Sequence, residues 1–536
     1  MARVQRETHR DAFAQQGDFN EQLYNALRQS PWWMISIAAH VLVFVLSMWL
    51  TDDAATTRVK PKTIAAAMDA APPPPEEELP EVEEETEEVH QTDLVAKEPV
   101  IKDAEISDHV ETDNDMPFEE SLGEGGLSDA PFEGPANNGL IGIGGSAGGA
   151  FKGRGGNRNL RTGGGGKTKA DDAVDDALKW LMAHQSADGG WEGAGFNLWC
   201  DGKRVPGPGP DGLGKAMYDP GLTGLALLAF LGAGYTNRGD HPFAKVVSNG
   251  LRYLKNVQDP EGCFGPRTNQ HYVYNHAIAA LAMVEAYGMT GSAIYKSPAQ
   301  KSLDFIAIAR NPYYAWRYGI KPGENDTSVT GWMMMALKSA KLINMHDKKV
   351  GKSESLAIDE EAFDGIRTWV DKVTDEYGRV GYLTRGSGPA RTPEMVDKFP
   401  GDKSESMTGV GMLARIFLGE DPKKSEPIQK GAGLCVQHLP QWDEAAGTID
   451  MYYWYYATLA MYQVGGEPWN KWNAALKTAV IDTQRKDTDY CMYKGSWDPL
   501  DPWGPDGGRV YSTATCALCL EVYYRYDRVF GTTDTK

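Results

Sequence analysis

The sequence predicts an all-α protein whose main domain is a six-hairpin α/α toroid, carried behind one transmembrane helix and a disordered linker. Three observations lead there. From Asp171 onward two kinds of helical segment alternate, strand-like runs of period two are scarce, and a Gln-x-x-x-Gly-x-aromatic pattern recurs where outer helices end. Ahead of that region lie one long apolar run and a long stretch that is first acidic and then glycine-rich.

Residues 1–31 read as a short N-terminal tail. Residues 32–50, "WWMISIAAHVLVFVLSMWL", form a 19-residue run free of Asp, Glu, Lys and Arg and edged by Trp32, Trp33 and Trp49. That pattern is a membrane-spanning helix with interfacial aromatic anchors. The run is too long for a cleaved signal and no small-residue cleavage site follows it. Ser36 and His40 lie four apart and share one helix face, and an ionisable residue within a span needs a partner or a proton path.

Residues 51–169 read as a linker. Residues 76–133 hold 22 Asp and Glu against Lys97 and Lys102, so this segment alone accounts for the formal charge of −20. Such a stretch solvates itself and stays extended, whereas residues 139–166 are glycine-rich and flexible. The end of the linker, "RTGGGGKTK", lacks the first glycine of a phosphate loop and follows no strand. No basic stripe is present, which excludes nucleic acid as a partner.

Residues 170–536 read as the toroid. Its outer segments are amphipathic, for example "DDAVDDALKWLMAHQ", "FAKVVSNGLRYLKNVQ" and "WNAALKTAVIDTQR". Its inner segments are apolar nearly all round, for example "GLTGLALLAFLGAG", "NHAIAALAMVEAYG" and "DMYYWYYATLAMYQVGG", and a helix apolar on every side is buried on every side. Six of each imply an inner ring within an outer ring. Small residues at helical spacing, such as Gly221 and Gly224, Ala277 and Ala280, or Gly409 and Gly411, let the inner backbones approach.

The pattern Gln185-x-x-x-Gly189-x-Trp191 recurs as Gln258-x-x-x-Gly262-x-Phe264, and a decayed copy stands at Gly495 and Trp497. Glycine after an outer helix takes the left-handed cap, the aromatic folds over the turn, and the glutamine satisfies free backbone groups at a neighbouring helix end. These residues are structural staples. The six cysteines are too sparse for a disulfide scaffold and read as buried apolar thiols.

This repeat with its paired helices resembles the squalene-hopene cyclase and protein prenyltransferase superfamily, over roughly residues 170–530. The resemblance implies the toroid and says little about activity. Squalene-hopene cyclases protonate an alkene with the middle Asp of D-x-D-D-T. The best counterpart here, "GENDTS" at Gly323 to Ser328, puts Asn325 at the donor position, leaving Asp326 or the displaced Glu324 as candidate acids. Prenyltransferases hold zinc with Asp-x-Cys and a later His. Asp489 and Cys491 have that spacing, but the last inner segment offers no His, so no metal site is expected. No cofactor is expected either. "DDAVDD", Asp171 to Asp176, resembles a magnesium-diphosphate motif but opens an outer helix, where acids oppose the helix dipole.

The anchor with its S-x-x-x-H face and Pro/Glu-rich extension resembles the TonB family of energy transducers. That resemblance implies an ExbB/ExbD-type motor complex facing Ser36 and His40, and a toroid on the outer side of the inner membrane. Loops before the inner segments collect His271, Tyr274, His276, Trp316, Tyr318, Glu405, Asp450, Tyr452, Tyr453, Arg509 and Tyr511 at one mouth. Aromatic residues with a few polar groups suit an isoprenoid lipid or a peptide. The first reading is therefore a membrane-anchored ligand-binding or scaffolding toroid, coupled to a proton-driven motor. The alternative is an isoprenoid (squalene or polyprenyl) cyclase or transferase with a degenerate site. A weaker one is a polysaccharide-active enzyme using Asp326, Glu405 or Asp450.

Overall fold

The computed structural model describes residues 168–205, 209–353 and 355–522. The expected tail, membrane helix, Ser36, His40 and nearly all of the linker lie outside the described residues. Among the described residues no helix is long and apolar enough to cross a membrane.

Among the described residues twelve α-helices form six hairpins, accompanied by three short 3-10 turns and one two-stranded ribbon, Trp199–Cys200 against Lys203–Arg204. The outer helices are α1 (Lys169–Ala183), α3 (Ala244–Val257), α5 (Ala293–Ala309), α7 (Glu361–Val373), α9 (Glu426–Gln437) and α11 (Gly466–Ile481). The inner helices are α2 (Asp219–Gly232), α4 (Tyr272–Thr290), α6 (Thr327–Lys349), α8 (Ser406–Phe417), α10 (Met451–Val464) and α12 (Gly504–Leu520). Each inner helix packs on the next, and α12 packs back on α2, so the ring is closed. The acids at the start of α1 cap it: Asp171 and Thr168 form a reciprocal capping box.

In α2 every residue from Pro220 to Gly232 is buried, as a helix sandwiched between two neighbours requires. A side chain at Gly224 would stand 2.9 Å from the Ala279 backbone nitrogen, so α2 and α4 approach to backbone contact there.

The staples act across hairpins. Gln185 donates through Nε2 to the Gly189 carbonyl at 2.9 Å and to Val246 of α3 at 2.9 Å, and the Trp191 indole donates to the Leu181 carbonyl at 2.7 Å. Gln258 donates to Gly262 at 3.1 Å and to Pro298 of α5 at 3.0 Å. A third copy is Gln484, which donates to Gly495 at 2.9 Å and to Ala173 of α1 at 2.8 Å, joining the last outer helix to the first. Its partner Trp497 donates to Val480 at 2.7 Å. A fourth is hidden: Thr374, Gly378 and Val380 keep the spacing, and Thr374 bridges Val380 just as Gln258 bridges Phe264.

The seam between first and last hairpins carries further links. Arg509 is buried and donates to the Asp211 side chain at 2.6 Å, to the Asp211 carbonyl at 3.0 Å and to Ser496 at 3.1 Å, while pairing with Asp498 at 2.7 Å. Cys200 and Cys491, 291 residues apart in sequence, form a disulfide across it. This corrects the expectation of six apolar thiols; Cys263, Cys435, Cys516 and Cys519 are free and buried as expected. Spacing gave no sign of the pair, because only ring closure brings the two loops together.

Two outcomes follow from these contacts. Gly262 holds φ +98° and a Cβ there would lie 2.0 Å from the Lys301 carbonyl oxygen, so Gly262→Ala should destabilise the fold by about 3 kcal/mol or more, seen as a large fall in Tm. Cys200→Ser, or reduction of the native protein, should lower Tm by roughly 4–8 °C, since the bond closes a long loop of unfolded chain. Unchanged melting under reducing conditions would mean that the seam holds without the covalent link.

Candidate functional site

Inside the ring, at the N-terminal ends of the inner helices, lies a cavity of about 160 Å³. Leu222 and Leu225 of α2, Tyr274 and Ile278 of α4, Ser328 and Trp332 of α6, Tyr452 of α10 and Tyr511 of α12 face it, together with Tyr318 and Trp503 from loops. Tyr218, Thr392 and Asp506, all half-buried, border it as well, so it opens to solvent at that end.

The phenols are ordered by short contacts. The Tyr318 and Tyr382 hydroxyls lie 2.5 Å apart, Ser328 and Tyr452 share a bond of 2.9 Å, and Tyr511 donates to Asp501 at 3.0 Å. Burial raises the pKa of Tyr274, Tyr318, Tyr382 and Tyr452, and nearby Asp326 adds to it, so all four stay phenols at neutral pH. His271 bonds Tyr218 through Nδ1 at 3.2 Å, and burial lowers its pKa.

Asp326 stands behind this wall and does not line the cavity. Its Oδ1 accepts the Val329 N–H at 2.7 Å as the cap of α6, and its Oδ2 has no hydrogen-bond partner among the described residues. Burial pushes its carboxyl up to about 7. Asn325 is turned into its own loop, where its Oδ1 accepts from Asn311 and from the Ala315 N–H, each at 3.0 Å. Glu324 is exposed and pairs with Arg317 at 2.5 Å.

Of the residues expected at the mouth, His271, Tyr274, Tyr318, Tyr452 and Tyr511 come together around the cavity. His276 and Trp316 do not. His276 is buried between hairpins, taking the Phe264 N–H at 3.2 Å, and Trp316 donates to Ile306 at 2.8 Å in the same way that Trp191 meets Leu181. Glu405 is held by Arg379 through contacts of 2.6 and 3.0 Å and by Thr408 at 2.7 Å. Asp450 caps α10, accepts from Tyr453 N–H at 2.9 Å, and is bound by Arg391 at 2.6 Å and Ser404 at 2.8 Å. Arg509 belongs to the seam. Sequence reasoning missed Trp332, Trp503, Tyr382 and Asp501; of these only Trp332, four residues after Ser328 on α6, carries a sequence signal, and Tyr382 nears Asp326 only through the fold.

Residues 160–378 match the squalene-hopene cyclase C-terminal domain family. That match supports the squalene cyclase superfamily. A squalene-hopene cyclase of Bradyrhizobium diazoefficiens is 26% identical over 191 residues, 33% of this chain and 27% of that protein. One from Schizosaccharomyces japonicus is 30% identical over 124 residues, 22% of this chain and 17% of that protein. The aligned part is thus under a third of either relative's length. Among solved structures, a type II terpene cyclase from Scytonema bound to merosterolic acid A has a TM-score of 0.39 at 12% identity, covering 67% of this chain and 96% of that one. An α-1,6-mannanase variant from Salegentibacter sp. HEL1_6 with α-1,6-mannotriose has a TM-score of 0.44 at 10% identity, covering 67% and 99%.

Asp326, Asp501 and Asp219 all have carboxyls raised by burial from 3.8 to about 7. Each therefore keeps its proton in the fold at pH values where the unfolded chain has lost it. Stability is full below about pH 4 as far as these groups go, and falls as pH rises towards 7. Thermal melting between pH 5 and 8 should show Tm falling with pH, and Asp326→Asn, which keeps a good helix cap, should flatten that slope.

Proposed function

We propose that the toroid binds an isoprenoid-class lipid in its central cavity, as a squalene-cyclase-like domain that lacks the family's alkene-protonating acid. The apolar, aromatic-walled cavity inside the ring is the observation that carries this reading. The family match over residues 160–378 supports it as well. Its size sets a limit. A cavity near 150 Å³ holds about one small aromatic molecule, so this one takes an end of a chain and leaves the remainder towards the mouth.

Protonation of a carbon–carbon double bond demands a strong acid in contact with the substrate. Asn325 is an amide, and Asp326 is a weak acid screened by tyrosines, so binding is favoured over cyclisation. Glycoside cleavage needs two free carboxylates facing one space, and Asp326, Glu405 and Asp450 are all absent from the cavity lining. Nothing in the fold or the comparisons supports the scaffolding or motor reading.

Mass spectrometry of the organic extract from the purified full-length chain tests the proposal. An isoprenoid near one equivalent is expected, and Ile278→Trp, which fills the cavity from α4, should abolish it while the protein still melts cooperatively. An empty cavity in protein refolded or challenged with polyprenols would overturn it.

A further inference from the structure

The cavity has a small side niche of about 10 Å³, bounded by Tyr274, Ser328, Tyr382, Arg391, Ser406 and Trp503 among others. Two polar atoms at this niche are unused. Ser406, the first residue of α8, is 1% exposed and its Oγ has no partner among the described residues; the Trp503 Nε1 is likewise buried without one. An indole N–H only donates, and a serine hydroxyl can donate beside it. Leaving two such donors unpaired in a closed site is costly, so the niche is built for something that accepts.

Its size and charge narrow the choice. A space of about 10 Å³ admits one water-sized group and excludes a phosphate or diphosphate. The only cation at the niche is Arg391, and it is already spent: it donates to Asp450 at 2.6 Å, to the Phe399 carbonyl at 3.0 Å and to the Ala390 carbonyl at 3.0 Å. An anion would meet that neutral pair and the carboxyl of Asp326 behind Tyr274 and Tyr382. Tyr318 bonds Tyr382 and Ser328 bonds Tyr452, so each pair spends one O–H within itself and keeps one that can join Ser406 and Trp503 in donating to the guest.

We infer that the niche is a subsite for one neutral oxygen, a hydroxyl or a carbonyl, at the end of an isoprenoid whose first units fill the adjoining cavity. The inference rests on the function proposed above. It distinguishes the ligand from a plain hydrocarbon and from a prenyl diphosphate. In the bound state the guest oxygen accepts from Trp503 Nε1 and Ser406 Oγ, and the chain lies against Trp332, Ile278 and Leu225.

Calorimetric titration of the full-length chain with farnesol, β-farnesene and farnesyl diphosphate tests it. The ratio of farnesol to farnesene affinity should be roughly 3- to 10-fold higher in the native protein than in Ser406→Ala or Trp503→Phe, with farnesene affinity unchanged by Ser406→Ala; Trp503→Phe also trims the cavity wall and is read by the ratio alone. Ser406→Ala removes only an unpartnered oxygen, so it keeps the test open if Trp503→Phe misfolds. The same ratio in native and substituted proteins would overturn the subsite while leaving the cavity reading intact, as would a water held in the niche with no preference between ligands. Tighter binding of farnesyl diphosphate than of farnesol would also overturn it. Binding of none of the three would overturn both the subsite and the function on which it rests.

Discussion

A helix that is apolar on every side has no stable place except between others of its kind, and that constraint shapes this domain. In water such a helix would expose too much apolar surface, and in a simple two-layer packing one side would remain uncovered. Six of them in a row solve the problem only when the last meets the first. The α12 to α2 contact is therefore the condition on which every other inner contact depends, and it explains why so many links gather at one seam. Arg509, the Gln484 staple and the Cys200–Cys491 disulfide all join the first hairpin to the last.

The outer ring is fixed by a different device. Each staple glycine lies against a backbone carbonyl of the next outer helix: Gly189 against Asn249, Gly262 against Lys301 and Gly495 against Asp176. The glutamine then donates once to its own turn and once across to that helix. A single side chain thus sets both the turn and the angle between neighbours, and buried carbonyls that would otherwise be unpaired are satisfied. Inner helices hold the ring together by apolar contact, and staples set its register.

Much of this was legible in the sequence, because periodicity reports burial. The twelve segments, the closed ring and two of the staples follow from apolar patterning and from Gln-x-x-x-Gly-x-aromatic. The Thr374 to Val380 copy was not legible, since it keeps the spacing and the glycine but changes the side chains; the last copy was legible at Gly495 and Trp497, and only its Gln484 was hidden by seven extra residues. The site was read less well, for a geometric reason. Successive residues on a helix point about 100° apart. On α4, Tyr274 and Ile278 face the cavity while His276 faces the staple; on α10, Tyr452 faces in and Tyr453 faces out to His438. Nothing in the order of residues says which of two adjacent aromatics turns inward.

The same geometry decides what the carboxylates can do. Inner helices begin at the cavity end, so their capping acids, Asp326 and Asp450, collect near the ligand space without entering it. A capping side chain folds back to meet the N–H three residues on, which aims it along the helix and away from the lumen. Asp450 completes its bonding with Arg391 and Ser404 and is chemically silent. Asp326 has no direct ion pair among the described residues, since the nearby Arg317 pairs with Glu324. Asp326 is buried with one oxygen unpaired, and it titrates near neutrality beside four phenols. Asn325, one position earlier, ties down its own loop instead of facing the cavity. The toroid thus has an aromatic-walled cavity with the raised carboxyl of Asp326 set behind the wall rather than facing the space.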